Sequence, residues 1–469
     1  MKLKKLFKDL DVEIKGNREV EVMGIFSHSR FVTPSSLFIA RQGKTFNGNT
    51  FIAQALEAGA SAILTDIYNP FLKNVVQVIA ADIGAIEAKL ARRYYGDPAA
   101  SLFLVGITGT NGKTTTAYLV RHLLGSCGLM GTIEYIIGKQ TLSAELTTAD
   151  VITNYKVLRE MADQNLQSAV MEVTSHALDQ NRVEGIQFDL GVFTNLSQDH
   201  LDYHGSMEAY AAAKMRLFEQ VKESVINLDE GEVVSGVTGV SYAIDCHADF
   251  RGTDIEESLD GTRFNVCYHK RAYPFSTKMI GRHNVYNCLA AIAVAIRRGL
   301  RFSTLQKRLA TFEGVPGRLE AIPNTRGFHL FVDFAHTDRA LENVLSTFKR
   351  MKLGKIITVF GCGGERDIEK RSKMAHIVER FSDQIIVTSD NPRYEDPMQI
   401  CLAISKNLTC KHAIEVERRA AIRRGISMAR GGDIVLIAGR GHEPFQKIAG
   451  RLIPFDDREV AREILTEIE

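Results

Sequence analysis

Residues 102–116 constrain the fold of this chain more than any other stretch. They read LFLVGITGTNGKTTT, an apolar run followed by a glycine-rich turn, a Lys-Thr pair and a return to helical spacing of apolar residues. The apolar run is rich in β-formers, which is typical of a buried strand in a parallel sheet. A strand, a glycine loop and a helix in this order predict a phosphate-binding loop. The alternative is a solvated surface turn.

The predicted loop has a physical basis for holding phosphate. Its glycines let backbone N–H groups approach phosphate oxygens, and the start of the following helix adds the positive end of the helix dipole. Lys113 is placed to reach the β- and γ-phosphates, and Thr114 is placed to hold Mg²⁺. We therefore predict a nucleotide-binding loop made of Gly109, Thr110, Asn111, Gly112, Lys113, Thr114 and Thr115.

Length and composition restrict the classes of protein that this chain can represent. A chain of 469 residues predicts about three domains, which we place at residues 1–98, 99–317 and 318–469. The formal net charge is only +2, so no global field draws the chain to nucleic acid or to an anionic membrane. The sequence shows no signal-peptide pattern and no apolar run that would span a bilayer. Seven scattered cysteines without a CxxC pair fit reduced thiols, so we expect a cytoplasmic protein.

The amino- and carboxyl-terminal parts both read as α/β units. Apolar runs at residues 36–40, 61–65 and 75–79 predict strands of a small amino-terminal domain, with a helix between the first two. The last part has four apolar runs, each followed by helical periodicity, which predicts a Rossmann-like domain. Polar clusters at its four strand ends predict one binding face.

The central part is predicted to be a doubly wound, mostly parallel sheet around the phosphate loop. Residues 168–173 and 190–195 add two buried strands; Glu172 lies near the end of the first, and His200 follows the second. A carboxylate and an imidazole at adjacent strand ends beside a phosphate loop would complete a magnesium shell. The alternative is that His200 caps the helix that begins near Met207.

Other features of the central part have two interpretations each. Lys214 follows three alanines in a strongly helical run, which leaves its helix face open to other groups, whereas most helical lysines face solvent. Asn284 and Asn287, at the start of a small-residue helix, either bind a ligand or cap the helix.

Strand-like runs between residues 221 and 280 predict an antiparallel extension of the sheet.

The motifs taken together resemble a known family. TGTNGKTT, MEVTSHALDQNRV, FTNLSQDHLDYHG, AAAK, GRHNVYN, GVPGRLE, VDFAHT, GCGGERD, DNPR and GRGHE occur in the order found in the Mur ligases of peptidoglycan synthesis, over nearly the whole chain. The resemblance implies an ATP-dependent amide ligase that acts through an acyl phosphate. Its implied substrates are ATP, meso-diaminopimelate and UDP-N-acetylmuramoyl-L-alanyl-D-glutamate, the implied product is the UDP-MurNAc-tripeptide, and the implied state is a monomer.

The resemblance also implies a cofactor and catalytic residues. Lys113, Glu172, His200 and Lys214 would be catalytic, and Thr114, Glu172, His200 and Lys214 would serve Mg²⁺. Lys214 matches the family's carbamylated lysine, which captures CO₂. Such a reaction requires a neutral amine, and the pKa of a lysine falls when the side chain is desolvated or lies near other cations.

Binding residues follow from the resemblance motif by motif. The further ATP contacts would be Asn284, Asn287, Arg318, Asp333 and His336. The UDP-MurNAc-dipeptide would contact Ser27, Ser29, Lys44, Thr45, Phe46, Thr147, Thr148, Thr174, Gln180 and Arg182. Diaminopimelate would contact Arg366, Asp390, Asn391, Pro392, Arg393, Gly439 and Glu443. Arg393 can hold the distal carboxylate, which lysine lacks, through two parallel hydrogen bonds.

The sequence departs from the family pattern at several positions and leaves alternative functions open. His28, Ala149, Thr174, Asp338 and Arg440 differ from the usual residues, but none of these changes removes a proposed metal or phosphate ligand. The alternatives within the class are an L-lysine-adding ligase, which Arg393 disfavours, and a folylpolyglutamate-type synthetase, which the amino-terminal domain disfavours. A nucleotide-dependent switch or a transport ATPase is the alternative from another class.

Overall fold

The computed structural model describes residues 1–42, 47–351 and 354–468. Within these ranges the strands form three large sheets that follow one another along the chain, and a separate two-stranded hairpin near the carboxyl end. The predicted substrate residues Lys44, Thr45 and Phe46 lie outside the described residues.

The chain passes from one large sheet to the next at two connections. The first sheet ends at Ile79 and the central sheet begins at Phe103, while the central sheet ends at Thr277 and the third begins at Glu320. The predicted limits near residues 98 and 317 fall in these two connections. The division of the chain into three domains at those residues stays a prediction.

The first sheet forms a small α/β layer, as predicted. Its strands are β1 (Glu13–Lys15), β2 (Ile25–Phe26), β3 (Ser36–Ile39), β4 (Ala60–Thr65) and β5 (Val76–Ile79), and its helices are α1 (Leu3–Leu6), α2 (Ile52–Glu57) and α3 (Ile83–Tyr95). The order is β1-β5-β4-β3-β2, parallel except for β1. Leu37 and Ile39 belong to the larger hydrophobic cluster on one face, and Phe38 packs in a smaller cluster on the other. The near-continuous apolar pattern of β3 follows from burial on both faces.

The central sheet is the largest of the three. Its strands are β6 (Phe103–Thr108), β7 (Cys127–Met130), β8 (Glu134–Ile137), β9 (Gln140–Ser143), β10 (Ser168–Glu172), β11 (Phe188–Phe193), β12 (Val221–Asn227), β13 (Val240–Ala243), β14 (Phe250–Ser258), β15 (Gly261–Tyr268) and β16 (Arg271–Thr277). Its helices are α4 (Lys113–Leu124), α5 (Val151–Asp163), α6 (Ser175–Asp179), α7 (Leu201–His204), α8 (Met207–Met215), α9 (Arg282–Arg297) and α10 (Phe302–Ala310). The order is β16-β15-β14-β13-β12-β11-β6-β10-β7-β8-β9.

The strand before the phosphate loop lies between two parallel neighbours. β6 pairs with β10 and with β11, so that Glu172 lies opposite Ile107 and Phe193 lies opposite Thr108. Val105 and Ile107 are fully buried. The carboxyl ends of these strands therefore meet around the loop that begins at Gly109, as expected for a doubly wound sheet.

The predicted antiparallel extension is wrong in its first part. β12 and β13 run parallel to β11, and β14 begins parallel to β13. Of the strands in this predicted extension, β14, β15 and β16 form an antiparallel meander. The strands have similar local composition, so only the length and path of the connections between them decide the direction of pairing.

The third sheet is parallel apart from one edge strand. Its strands are β17 (Glu320–Ile322), β18 (His329–Asp333), β19 (Ile356–Phe360), β20 (Gln384–Val387), β21 (Ala413–Ile414) and β22 (Ile434–Ala438), in the order β17-β18-β22-β19-β20-β21. The helices are α11 (Asp338–Met351), α12 (Glu369–Phe381), α13 (Pro397–Ser405), α14 (Arg418–Met428) and α15 (Asp457–Ile468), and the separate hairpin is β23 (Phe445–Ile448) with β24 (Arg451–Pro454). The four predicted strands are confirmed, and their carboxyl ends carry the predicted polar clusters. No helix of the described residues has the length and apolar character needed to cross a bilayer.

Candidate active site

The predicted phosphate loop adopts a conformation that depends on glycine. Gly109 has a φ of +143° and Gly112 a φ of +83°, both rare for L side chains. A Cβ on Gly109 would lie 1.9 Å from Thr194 Oγ1, and one on Gly112 would lie 2.4 Å from Asn287 Oδ1. The loop therefore packs its backbone directly against the ends of neighbouring elements, and helix α4 begins immediately after it.

Lys113 is folded back onto the loop. Its Nζ donates to the carbonyl oxygens of Gly109 at 3.0 Å and Thr110 at 2.9 Å. Desolvation lowers the pKa of Lys113, and the charge of Glu172 opposes that shift. A cation held by two neutral carbonyls lacks a full counter-charge, which makes it a suitable group to receive phosphate oxygens.

Glu172 is the fully buried carboxylate beside the loop. It accepts hydrogen bonds from Thr114 Oγ1 at 2.9 Å, from Thr132 Oγ1 at 3.1 Å and from the Thr132 backbone N–H at 2.8 Å. The structure thus brings together the two predicted oxygen ligands, Thr114 and Glu172. Thr132 was not predicted, because β7, which precedes it, was not recognised in the sequence.

Lys214 is buried, and the solvent-facing interpretation of it is wrong. Its side chain is only 1% exposed, its Nζ donates to Gly109 O at 2.8 Å, and it lies 4.3 Å from the centre of the Tyr210 ring. Burial lowers the pKa of Lys214 well below its usual range, and the charge of Lys113 lowers it further. Both lysines donate to the carbonyl of Gly109, so their two amino groups lie close together.

His200 does not cap the helix near Met207. That cap is Ser206, whose Oγ accepts from the backbone N–H of Ala209 at 3.2 Å. His200 precedes the short helix α7, with a φ of +54°, and its ring lies 4.7 Å from the ring of His176 and 6.1 Å from that of Tyr210. Since Tyr210 also contacts Lys214, His200 lies on the side of the loop where that lysine is buried.

The donor set beside the loop suits Mg²⁺ better than a softer metal. Within the described residues, no group of three or more His, Cys, Asp or Glu side chains converges as a metal cage. The hydroxyl of Thr114 and the carboxylate of Glu172 are hard oxygen donors, and Mg²⁺ sites in nucleotide enzymes use one or two such ligands together with phosphates and water. The residues present therefore fit a magnesium ion bound together with a nucleotide.

A cavity of about 470 Å³ opens next to the loop, between the central and third sheets. The predicted nucleotide residues that line it are Asn111, Gly112, Thr115, Asn284, Asn287, Arg318, Asp333 and His336. Asn287 Nδ2 donates to Asn284 Oδ1 at 3.0 Å, and Asn284 Nδ2 donates to Ile280 O, so neither side chain caps helix α9. Arg318 stacks on Phe334 at 4.3 Å and its Nη2 donates to Thr114 Oγ1 at 3.4 Å.

Acidic residues that the sequence analysis missed line the same cavity. Asp229, just after β12, accepts from Tyr286 Oη at 2.7 Å and from the backbone N–H of Ile244 at 2.7 Å. Asp245 is a second such residue. Their position after parallel strands β12 and β13 would have marked them, but these strands were assigned to an antiparallel extension.

The predicted dipeptide residues of the central part form one network next to Glu172. Thr148 Oγ1 donates to Glu172 O at 2.8 Å and lies 3.3 Å from Thr174 Oγ1. Arg182 donates to Thr148 O at 3.0 Å and, through Nε, to Gln180 Oε1 at 3.0 Å. Thr147 joins the network through its Oγ1, which lies 3.2 Å from Thr132 Oγ1.

Of the amino-terminal residues predicted to bind the UDP-MurNAc-dipeptide, Ser27 and Ser29 are described, and only Ser27 bonds to the central part of the chain. Ser27 Oγ donates to Asp150 Oδ1 at 3.3 Å, which links the first sheet to the cap of helix α5. Ser29 Oγ donates to Gln54 Oε1 at 2.7 Å within its own part of the chain. The roles of Ser27 and Ser29 in binding the UDP-MurNAc-dipeptide stay predictions.

A second cavity, of about 590 Å³, lies at the carboxyl ends of the third sheet. The predicted diaminopimelate residues that line it are Arg366, Asp390, Asn391, Arg393, Gly439 and Glu443, whereas Pro392 does not border it. Asn391 Nδ2 donates to Glu443 Oε2 at 2.7 Å, which joins the two loops that carry these residues. Phe334 and His336 line both cavities, so the two cavities adjoin.

Two fully buried arginines lie next to the strand ends that border the second cavity. Arg418 donates to both carboxylate oxygens of Asp457 at 2.7 Å, and also to the carbonyls of Ser389 and Ala438. Arg440 lies 3.8 Å from Asp457. The sequence analysis missed Arg418 and Asp457, because an ion pair 39 residues apart leaves no local pattern.

Family models for three successive parts of the chain match it. The Mur ligase family, catalytic domain, matches residues 21–95; the Mur ligase middle domain matches residues 107–295; and the Mur ligase, glutamate ligase domain, matches residues 317–441. Together they cover most of the sequence.

The chain belongs to the Mur ligase family.

Known members of the Mur ligase family are similar to the chain over its full length. A protein of Chlamydia muridarum (strain MoPn / Nigg) named UDP-N-acetylmuramoyl-L-alanyl-D-glutamate--2,6-diaminopimelate ligase is 43% identical over 485 residues, covering 100% of both chains. The protein of the same name from Caldanaerobacter subterraneus subsp. tengcongensis is 38% identical over 482 residues, again covering 100% of both.

Solved structures of Mur ligases share the architecture. A structure titled UDP-N-acetylmuramoyl-L-alanyl-D-glutamate--2,6-diaminopimelate ligase superposes with a TM-score of 0.70 at 32% identity, covering 100% of this chain and 99% of the other. A MurF ligase from Thermotoga maritima in complex with ADP gives a TM-score of 0.67 at 19% identity, with 95% and 97% covered. The second similarity concerns the fold alone.

Proposed function

We propose that this chain is an ATP-dependent ligase that joins meso-diaminopimelate to UDP-N-acetylmuramoyl-L-alanyl-D-glutamate. The products are the UDP-MurNAc-tripeptide of peptidoglycan synthesis, ADP and phosphate. Full-length identity of 38–43% to ligases of that name supports the proposal. The observation that carries it is the contact of the two cavities at Phe334 and His336, because an acyl group activated beside the nucleotide can then meet an amine without leaving the protein.

The first step of the proposed reaction transfers a phosphoryl group. A carboxylate oxygen of the dipeptide attacks the γ-phosphorus of ATP, the bond to the β-phosphate oxygen breaks, and an acyl phosphate and ADP form. Lys113 exchanges its carbonyl contacts for phosphate oxygens and offsets the negative charge that develops on them. The loop backbone holds the phosphates in line with the acceptor, so positioning supplies much of the rate.

The second step forms the amide. The neutral amine of diaminopimelate attacks the acyl carbonyl, a tetrahedral intermediate forms, and phosphate leaves as the amine loses a proton to solvent. Negative charge accumulates again on oxygen in this step. Thr114, Glu172 and His200 would hold Mg²⁺, which when bound supplies positive charge to the phosphate oxygens.

We assign Lys214 the role of a carbamylated lysine. Its buried amine, with a lowered pKa, favours the neutral form that attacks CO₂, forming a C–N bond and releasing one proton. The product is an anion beside Lys113, in place of a neutral amine. Mass analysis of the native protein in bicarbonate buffer should show a labile addition of CO₂ at Lys214; an unmodified amine in active enzyme would overturn the assignment.

The second cavity is proposed to bind diaminopimelate. Arg366 and Arg393 would face a carboxylate, and Asp390 and Glu443 would face an ammonium group, so the charges of the lining would match those of an amino-acid end of the substrate. We further propose that the protein works as a monomer in the cytoplasm, where its substrates are dissolved.

The test of the proposed function is product formation. The purified chain is incubated with ATP, Mg²⁺ and UDP-MurNAc-L-Ala-D-Glu, with either meso-diaminopimelate or L-lysine, and the tripeptide is measured by mass spectrometry together with ADP. We expect tripeptide with meso-diaminopimelate and far less product with L-lysine. Equal turnover with lysine would remove the substrate assignment, and ATP hydrolysis without any amide would favour a switch or an ATPase.

A further inference from the structure

The hairpin β23–β24 lies against the loop that carries the proposed diaminopimelate residues. It forms its own small sheet and pairs with no strand of the third sheet among the described residues. Gln446 is its buried residue, with 6% exposure, while Phe445 and Leu452 are exposed. The Nε2 of Gln446 donates to Ser389 Oγ at 3.2 Å and also to the carbonyl oxygen of Asp390. A buried amide thus fixes the beginning of the loop.

The main chain of the hairpin fixes the rest of the loop. The backbone N–H of Lys447 donates to Asn391 Oδ1 at 2.8 Å, and its carbonyl accepts from the N–H of Arg393 at 3.0 Å. The N–H of Ala449 then donates to Arg393 O at 2.6 Å. Arg393 is therefore bridged to the hairpin on both its N–H and its C=O, and it forms a β-bridge with Ile448.

Arg393 has a backbone conformation that it would not adopt on its own. Its φ is +53°, in the left-handed region that L side chains other than Asn and Asp seldom occupy. Such a conformation persists where the surroundings determine it, and it is frequent at ligand-binding positions. The hydrogen bonds with Lys447 and Ala449 fix this backbone conformation, and the side chain of Arg393 donates to Gly364 O.

We infer that the hairpin of residues 445–454 is a clamp that sets the direction of the Arg393 guanidinium, and that Gln446 is a positioning residue for the choice of amino acid. The inference rests on the proposed function, in which Arg393 holds the distal carboxylate of diaminopimelate. Gln446 itself does not line the cavity and touches the loop only through Ser389 and Asp390. Gln446 directly precedes Lys447, whose backbone bonds to Asn391 and Arg393, so the loss of the Gln446 amide should weaken the recognition of that carboxylate through the hairpin.

The test compares Gln446→Leu with the wild type in the complete ligase reaction. The substitution keeps the size of the side chain and removes the amide that donates to the loop. We expect the KM for meso-diaminopimelate to rise roughly tenfold, the loss typical of one buried hydrogen bond, while the KM for ATP and the kcat stay within twofold. The kcat/KM for L-lysine, which has no distal carboxylate, should change far less than that for diaminopimelate, so the preference for diaminopimelate should fall.

Controls separate a positioning role from loss of folding. Leu452→Ala, an exposed substitution opposite Lys447 on the same hairpin, should leave all constants unchanged. If Gln446→Leu is not folded by circular dichroism, Gln446→Asn, which keeps an amide but is one methylene shorter, carries the test. Equal losses with diaminopimelate, lysine and ATP, or an unchanged preference, would overturn the clamp. A wild-type protein that makes no tripeptide would instead overturn the proposed function.

Discussion

Replacing Arg393 by Met tests the proposed amino-acid site most directly. The side chain donates through Nη1 to Gly364 O, and the other edge of the guanidinium remains for a carboxylate. Each charge-assisted hydrogen bond contributes roughly 1.5 to 3 kcal/mol. Because Arg393 is only partly buried, the lower value applies to each of two bonds, and their loss amounts to about 3 kcal/mol. That energy corresponds to a KM for meso-diaminopimelate raised on the order of 100-fold.

The measurement is the initial rate of ADP release at saturating ATP and UDP-substrate, with meso-diaminopimelate varied. Arg393→Lys keeps the charge but only one directed bond, so it should raise the same KM roughly tenfold. The KM for ATP should not change in either variant. A rise of less than about threefold in Arg393→Met, or a parallel rise in the KM for ATP, would refute the assignment of this side chain to the distal carboxylate.

Three further perturbations test other parts of the structure. Gly109→Ala places a Cβ 1.9 Å from the hydroxyl of Thr194 and should raise the KM for ATP at least tenfold. Gly205→Ala is the control, because a Cβ there meets no atom within 4 Å, and it should leave that KM unchanged. Equal effects of the two substitutions would contradict the close packing of the loop. Asp457→Asn leaves its buried arginine partner uncompensated and should cost about 3 to 5 kcal/mol in urea unfolding; less than 1 kcal/mol would contradict the pair. Burial raises the pKa of the Glu87 carboxyl from 4.5 to about 7, because desolvation outweighs the attraction of Arg41. The free energy of unfolding should therefore fall as pH rises from 4.5 to about 7, where the unfolded chain loses this proton and the folded protein keeps it. Glu87→Gln should remove this loss, of up to about 3 kcal/mol, and an unchanged pH profile would refute it.

The candidate site was predictable where its residues form local patterns. The strand, glycine loop and helix around Lys113 are close in sequence, and the structure has them as predicted. Glu172 was placed at a strand end beside the loop for the same reason, and its bond with Thr114 agrees with that placement. Local propensity and periodicity predict each strand and the loop that follows it, because those residues are continuous in sequence. Thr114 and Glu172 are 58 residues apart, and their proximity follows from the rule that the carboxyl ends of parallel strands meet at one edge of a sheet.

Other parts of the site could not be predicted in this way. Thr132 was missed because the short strand β7 lacks a clear pattern, and β12 and β13 were given the wrong direction because composition does not determine pairing. Arg418 and Asp457 pair across 39 residues, and no local signal records that contact.

The sequence by itself determined the α/β class, the phosphate loop and the family motifs, because the residues that define each pattern lie close together in the sequence. Only the tertiary structure decided that Lys214 is buried, since its contact with Gly109 spans 105 residues. It also decided that the hairpin holds Arg393 in a left-handed conformation. Burial and a strained backbone both depend on neighbours that are distant in the chain, and they become visible only when the chain has folded.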